Sequence, residues 1–245
     1  MLTYQKKVSF LKVREYWFTY QFRWKDLVSF NTYLHVKNRN GQKIWGIPNT
    51  THTVELRLDK NIETIVSNFS NTVKRDLKKA EKDRLVCNFN YGPDVFVAFF
   101  NEFAAIKNIF PTSKRRLEEV AGNLQMGFAL LDGEIIAAHT YLVDEELGIA
   151  RLWHSASKRF DEKYDSYLVG RANKMLTYQE IIFFKEKGYK IFDFGGYNTD
   201  SQNLQGINSF KLSFGGEVVP CYNYVSVWHF LFKKVAGKIG VLGQG

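Results

Sequence analysis

Residues 148–194 read as an apolar strand, a long helix and a second apolar strand, and this order constrains the fold more than any other part of the chain. The first strand covers 148–155. Asp165 or Ser166 then caps a helix that runs to about residue 187, where Gly188 supplies the stop. The second strand, 190–194, opens into Gly195 and Gly196. Two strands joined by a crossover helix lie parallel in one sheet. Upstream, 126–131 and 135–143 read as strands joined at Asp132-Gly133, a pair that tolerates the positive φ angles of a tight hairpin. Further strands are expected from Ser209 onward. A parallel pair inside an antiparallel meander predicts a mixed, mostly antiparallel sheet flanked by helices, an α/β (α+β) fold.

The N-terminal part is β-rich. Segments 15–22, 28–36, 43–47 and 53–58 carry Tyr, Phe, Trp, Val and Thr and are separated by polar turns such as Asn38-Arg-Asn-Gly41. A helix follows: Ile62, Ile65, Val66, Phe69, Val73, Leu77 and Ala80 recur at helical spacing, with Asp59 or Asn61 as its cap. Its other face carries Lys74, Arg75, Lys78, Lys79 and Lys82, either a solvated face or one that meets an anion. Asp94 caps an apolar helix over 95–108 that ends before Pro111, and 113–121 forms a short charged helix. The expected organisation is a β-rich part over 1–58, a main domain over 59–227 and a basic amphipathic tail over 228–245.

With 245 residues and 45% hydrophobic residues, the chain has enough apolar surface for a sizeable core. A formal net charge of +9 favours anionic partners such as nucleic acid, nucleotide-linked sugars, cofactor phosphates or an acidic membrane face. No apolar run approaches the roughly 20 residues of a membrane span, and no apolar stretch follows Lys6 and Lys7 to make a secretory signal. Cys87 and Cys221 form neither a disulfide framework nor a zinc site, and no metal cluster or Ser-His-acid triad is expected among five scattered histidines. A reducing, cytoplasmic setting follows from this cysteine usage.

Two glycine-ended motifs carry the chemistry. In Tyr189-Lys-Ile-Phe-Asp-Phe-Gly-Gly196 a buried strand ends near Asp193, and its glycines let a backbone lie close to a ligand or simply turn. In Ser209-Phe-Lys-Leu-Ser-Phe-Gly-Gly216 the alternation reads as a strand with Phe210, Leu212 and Phe214 on one face and Lys211 and Ser213 on the other. Lys211 is then either a surface lysine or a fixed cation in a cleft, suited to a developing oxyanion or a phosphate.

Phe192-Asp-Phe-Gly-Gly196, a short polar loop and Gly206-Ile-Asn-Ser-Phe-Lys-Leu-Ser-Phe-Gly-Gly216 together resemble the C-terminal signature of the FemAB-like branch of the GNAT acyltransferase superfamily. Asn71-Thr-Val-Lys-Arg-Asp-Leu-Lys-Lys-Ala-Glu81 resembles that family's basic helix, and the likeness covers roughly 56–224. It implies a GNAT-like sheet that splays at its centre, with the donor carbonyl in the splay. It implies transfer of an amino acid from aminoacyl-tRNA to peptidoglycan precursors, or of an acyl group to sugars or related envelope molecules. Lys211 matches the lysine that supports transfer in the family. Lys74, Arg75 and Tyr197 are candidate acceptor contacts, beside Phe210, Gly195 and Gly196.

The chain departs from the family in two places. It holds one complete GNAT-like domain and a partial lobe, where peptidoglycan-acting members carry two. Tyr167-Leu-Val-Gly-Arg-Ala172 also lacks the leading Gln or Arg that precedes a coenzyme A pyrophosphate loop, and Asp161, Glu162 and Asp165 stand just before it. The expected reaction is acetyl or acyl transfer to an amine or hydroxyl of a sugar nucleotide or envelope polysaccharide precursor, with acetyl-CoA or another acyl-CoA as donor. The alternatives are aminoacyl-tRNA as donor, or a non-catalytic basic module docking to membrane or nucleic acid. His154 is the candidate proton acceptor, ahead of His139, and Asp193 orders its loop or takes part in transfer. Trp228, Leu231, Phe232, Val235, Ile239 and Leu242 fall at helical spacing beside Lys233, Lys234 and Lys238, a stripe that packs on the domain or lies on the inner face of a membrane.

Overall fold

The computed structural model describes residues 2–8, 11–21, 23–37, 45–198 and 204–238. In chain order the strands are β1 (Leu2–Val8), β2 (Leu11–Trp17), β3 (Asn31–Leu34), β4 (Ile47–Arg57), β5 (Val86–Asn88), β6 (Leu124–Leu131), β7 (Glu134–Asp144), β8 (Ile149–Ser157), β9 (Ile191–Tyr197) and β10 (Glu217–Val225). The helices are α1 (Ile62–Ser67), α2 (Asn71–Lys82), α3 (Pro93–Lys107), α4 (Lys114–Glu118), α5 (Ser166–Glu186), α6 (Gln205–Leu212) and α7 (Val227–Lys238). The fold is α/β with a mixed, mostly antiparallel strand arrangement. The chain divides into two compact units, Thr53–Val218 and a second made of Met1–His52 with Val219–Gly245.

In the second unit β1 and β2 form an antiparallel ribbon, β2 pairs parallel with β3, and β3 pairs antiparallel with the end of β10. Strand β2 stops at Trp17, short of the expected residue 22, because Phe18 adopts a left-handed φ of 66°. A 3-10 turn over Trp24–Val28 replaces the start of the expected 28–36 strand, and His35 at φ 53° ends β3. Buried Tyr16, Tyr20, Tyr33, Val36 and Tyr224 make its core. Helix α7 buries His229 and packs Phe232 edge-on against Phe30, while Trp228 and Leu231, both on the expected apolar stripe, are exposed. The turn at 38–41, the start of the 43–47 segment and residues 239–245 lie outside the described residues.

The unit Thr53–Val218 carries the strand order β4-β9-β8-β7-β6-β5. Asp132 and Gly133, at φ 49° and 86°, make the expected two-residue turn between β6 and β7. Helix α5 connects parallel β8 and β9, with Asp165 as its cap and Gly188 at φ 84° beyond its end. Phe184, Phe192, Phe194, Tyr141 and Phe214 fill the core between helices and sheet. Among the described residues no helix is long and apolar enough to cross a membrane.

Two expectations are corrected here. The single helix over 62–80 is two helices. Ser70 Oγ accepts from Val73 N–H at 3.2 Å and restarts the chain as α2, while Phe69 in the break is buried against Phe214. The run after Ser209 is a helix, not a strand. Its alternating Phe210, Leu212 and Phe214 mimic a strand period, but Asn208 and Lys211, three apart, share the buried side and Leu212 is exposed.

The glycines after α6 serve this joint. Ser70 N–H donates to Ser213 O at 2.8 Å, and a Cβ on Gly215, at φ 76°, would stand 2.8 Å from Asn68 Cβ. A Gly215→Ala change is therefore expected to cost about 2 kcal/mol or more in urea unfolding, from the left-handed backbone and the contact together. Gly206→Ala, on a helical residue with open space around it, is expected to be neutral or to stabilise by up to about 1 kcal/mol in the same assay.

Candidate active site

The parallel strands β8 and β9 pair over only three rungs, Ile149 with Ile191, Ala150 with Phe192 and Arg151 with Asp193. Both strands continue past the last rung. The register of β8 against β7 also slips there: Tyr141 faces Leu152 and Thr140 faces His154, leaving Trp153 as an extra residue. The sheet opens at this point, and a pocket of about 560 Å³ lies in the opening, inside the unit Thr53–Val218.

Asp193 holds the inner end. It is fully buried, and Arg151 Nη1 donates to both of its oxygens at 2.9 Å. Its Oδ1 also accepts from Gly195 N–H at 2.8 Å and from the Thr53 hydroxyl. A carboxylate taking these donors fixes the guanidinium and the start of the glycine turn together. Gly195 sits at φ 82°, and a Cβ there would lie 3.9 Å from Lys211 Nζ.

Lys211 enters from α6 and donates from Nζ to Gly196 O. Burial, with the nearby Arg151 charge, lowers its pKa to about 8, and Asp193 opposes both. The lysine still carries its proton for most of the time at neutral pH. Arg151, Lys211, Lys107 and Arg159 all line the pocket, and no Asp or Glu is among its described lining residues. The apolar wall includes Phe103, Trp153, Phe160 and Phe210.

A second polar cluster forms part of the wall: His139, Tyr141 and Asn173 line the pocket, with Glu180 behind them. Glu180 on α5 is buried and accepts from Tyr141 OH at 2.6 Å, and its Oε2 lies 2.8 Å from His139 Nδ1. His139 Nε2 lies 2.8 Å from Asn173 Oδ1, and Asn173 reaches the pocket. Burial and the Glu180 charge push the Tyr141 hydroxyl well above its ordinary range.

The expected site residues divide. Lys211, Phe210, Gly195 and Gly196 line the pocket, and Asp193 lies outside its lining, paired with Arg151. His154 does not line it. Its ring lies against Phe96 and Phe100, Thr140 Oγ1 is 2.7 Å from Nδ1, and burial takes its pKa down to about 3. It is a neutral core histidine, because the irregularity at Trp153 turns it toward α3. Tyr197 packs on the core, while Lys74 donates to Ser67 O at 2.6 Å and Arg75 faces Asp76; none of the three lines the pocket. Sequence reading missed Arg151, a charge inside an apolar strand. It also missed Asn173, Thr177 and Glu180, whose four- and three-residue spacings make a polar stripe on α5.

The helix end where a pyrophosphate would dock is already occupied. Asp165 accepts from Tyr167 N–H and Leu168 N–H, both at 3.2 Å, at the start of α5. The amides that a coenzyme A pyrophosphate would need are satisfied by the chain's own carboxylate, so this end does not fit that group.

No protein-family model and no curated protein matches the sequence. Solved structures do. The chain is similar to the crystal structure of FemX, with a TM-score of 0.65 at 11% identity over 94% of this chain and 85% of that one. It is similar to L-PGS from Bacillus licheniformis, with a TM-score of 0.58 at 11% identity over 94% and 84% of the two chains. It is also similar to the C-terminal domain of a putative lysylphosphatidylglycerol synthetase from Agrobacterium fabrum, with a TM-score of 0.56 at 13% identity over 80% and 68%. The fold is the one seen in FemX and L-PGS.

Lys211 gives this pocket a titration that can be followed. The folded chain holds its proton less tightly than the unfolded one, so the charge opposes folding below about pH 8, and that penalty fades as pH rises from there to the ordinary lysine range. Lys211→Met is expected to be more stable than the parent at pH 7, by up to about 3 kcal/mol. The difference should shrink above pH 8, measured by urea unfolding across pH.

Proposed function

We propose that this chain is an acyl-group transferase, and that the donor is an aminoacyl ester such as aminoacyl-tRNA. The observation that carries the reading is Lys211, held by Gly196 O beside Arg151 where β8 and β9 part. An acceptor amine or hydroxyl attacks the donor carbonyl, and a new C–N or C–O bond forms. The carbonyl oxygen takes up negative charge, which the Lys211 ammonium stabilises in a site of low dielectric. The ester C–O bond then breaks, and the leaving hydroxyl departs with the proton that the acceptor releases.

The cap on α5 weighs against acyl-CoA, because Asp165 takes the amides a pyrophosphate would use. A carboxylate at that helix end also repels a second anion. The acceptor meets a pocket with four cations and no carboxylate among its described lining residues, which suits a phosphate-bearing envelope precursor. FemX and lysylphosphatidylglycerol synthetase, the named relatives in fold, support the aminoacyl version.

The test is Lys211→Met assayed with aminoacyl-tRNA and with acyl-CoA against phosphate-bearing envelope precursors. The expected loss is about 10²-fold or more in kcat with the aminoacyl donor. Parent-like rates would remove the role given to Lys211, and turnover with acyl-CoA alone would remove the donor. Filter binding of tRNA should weaken steeply as salt rises.

A further inference from the structure

The pocket mouth continues onto an apolar surface that the transfer chemistry does not use. Phe103, Ser157 and Phe160 wall both the pocket and an adjoining cleft of about 400 Å³ that is bordered by Ile106. Phe103 and Ile106 lie three apart on α3 and so share a side of it. The helix then ends at Asn108, in a left-handed conformation at φ 51°, and the chain beyond it exposes Ile109 and Phe110. Ile106 is 61% exposed and Phe110 70% exposed, and Phe160 beside them is also exposed.

Cations border this surface. Lys107 Nζ lies 4.7 Å from the Phe160 ring centre, and Arg159 stands at the pocket mouth. Arg116 lies 5.3 Å above Trp153. Of the carboxylates nearby, Glu102 and Asp161 share Lys158, Asp94 pairs with Lys114, and Glu119 with Arg115. Lys107, Arg116 and Arg159 have no carboxylate partner among the described residues.

We propose that this face, with Ile106, Phe110 and Phe160 flanked by Lys107 and Arg159, seats on an anionic phospholipid surface and brings the pocket mouth to the level of the headgroups. The claim rests on the transfer reading only in taking this pocket as the place where the acceptor enters. Branched aliphatic chains next to aromatics enter the interfacial layer of a bilayer, and unpaired cations meet lipid phosphate there. Nucleic acid is the poorer match. Bases stack on aromatic rings, and Ile106 and Ile109 offer none.

Co-sedimentation with vesicles tests the surface without any turnover. The full chain is expected to pellet with phosphatidylcholine vesicles that contain phosphatidylserine, and to stay in solution with phosphatidylcholine alone. An I106S/F110S variant should bind the mixed vesicles about tenfold or more weakly, by the apolar area lost. K107Q/R159Q should weaken binding and flatten its salt dependence. These side chains are solvent-facing or at a pocket rim, so unchanged thermal melting is expected for both variants. Lys211→Met should bind vesicles like the parent, so a failed transfer role leaves this result standing. No pelleting of the parent, or parent-like pelleting of I106S/F110S, overturns the proposal. So does loss of binding only in W228S/L231S, which would move the contact to α7. Loss of tRNA binding, or of a dimer in sedimentation velocity, in I106S/F110S with vesicle binding intact would reassign the face to nucleic acid or to a second copy.

Discussion

The ion pair between Arg151 and Asp193 stands on the last rung that β8 and β9 share. A buried carboxylate is costly unless its lone pairs are taken up, and here the guanidinium, a threonine hydroxyl and a backbone amide take them. Each of those donors belongs to a different strand or turn. The pair therefore ties β4, β8 and the Gly195 turn at one point, and beyond that point the strands separate. The pocket exists because pairing stops there, and Lys211 can be buried beside Arg151 because Asp193 offsets part of their mutual repulsion.

Behind the pocket Glu180 is only half satisfied: its Oε2 is engaged, while Oε1 is buried without a hydrogen-bond partner. The carboxylate closes the polar stripe of α5 and is held there by Tyr141 and His139. Space for it comes from Gly127, where a Cβ would stand 2.5 Å from Glu180 Oε1. A glycine in the middle of β6 weakens that strand, and the cluster it admits orients Asn173 at the pocket wall. Strand β6 gives up packing so that a polar group can be placed.

Much of this frame was legible in the chain. The hairpin at Asp132-Gly133 and the crossover from β8 through α5 to β9 follow from positive-φ chemistry and connection rules, which act locally and leave local marks. Lys211, Gly195 and Gly196 were legible through family likeness. What escaped depends on partners distant in sequence. Residues 205–212 alternate like a strand and fold as a helix because Asn208 and Lys211 find buried partners at Asn198 and Gly196. One slipped register at Trp153 sends His154 to the core and leaves Arg151 at the pocket, and no periodicity in the strand announces such a slip. The basic face of α2 was conspicuous in composition, yet Lys74 and Arg75 satisfy themselves on their own helix and its neighbour.

Lys211 has one further consequence. Under the proposed transfer, near neutrality it is a cation next to the place where a carbonyl oxygen would gain charge. Above about pH 8 the same nitrogen carries a lone pair, and the group that steadies the reaction becomes a rival acceptor for the acyl group. The hydrogen bond to Gly196 O then does more than place a charge, because it keeps a proton-bearing side of the amine turned to the backbone. The proposed transfer would then have an alkaline limit set by self-modification, separate from any limit set by stability.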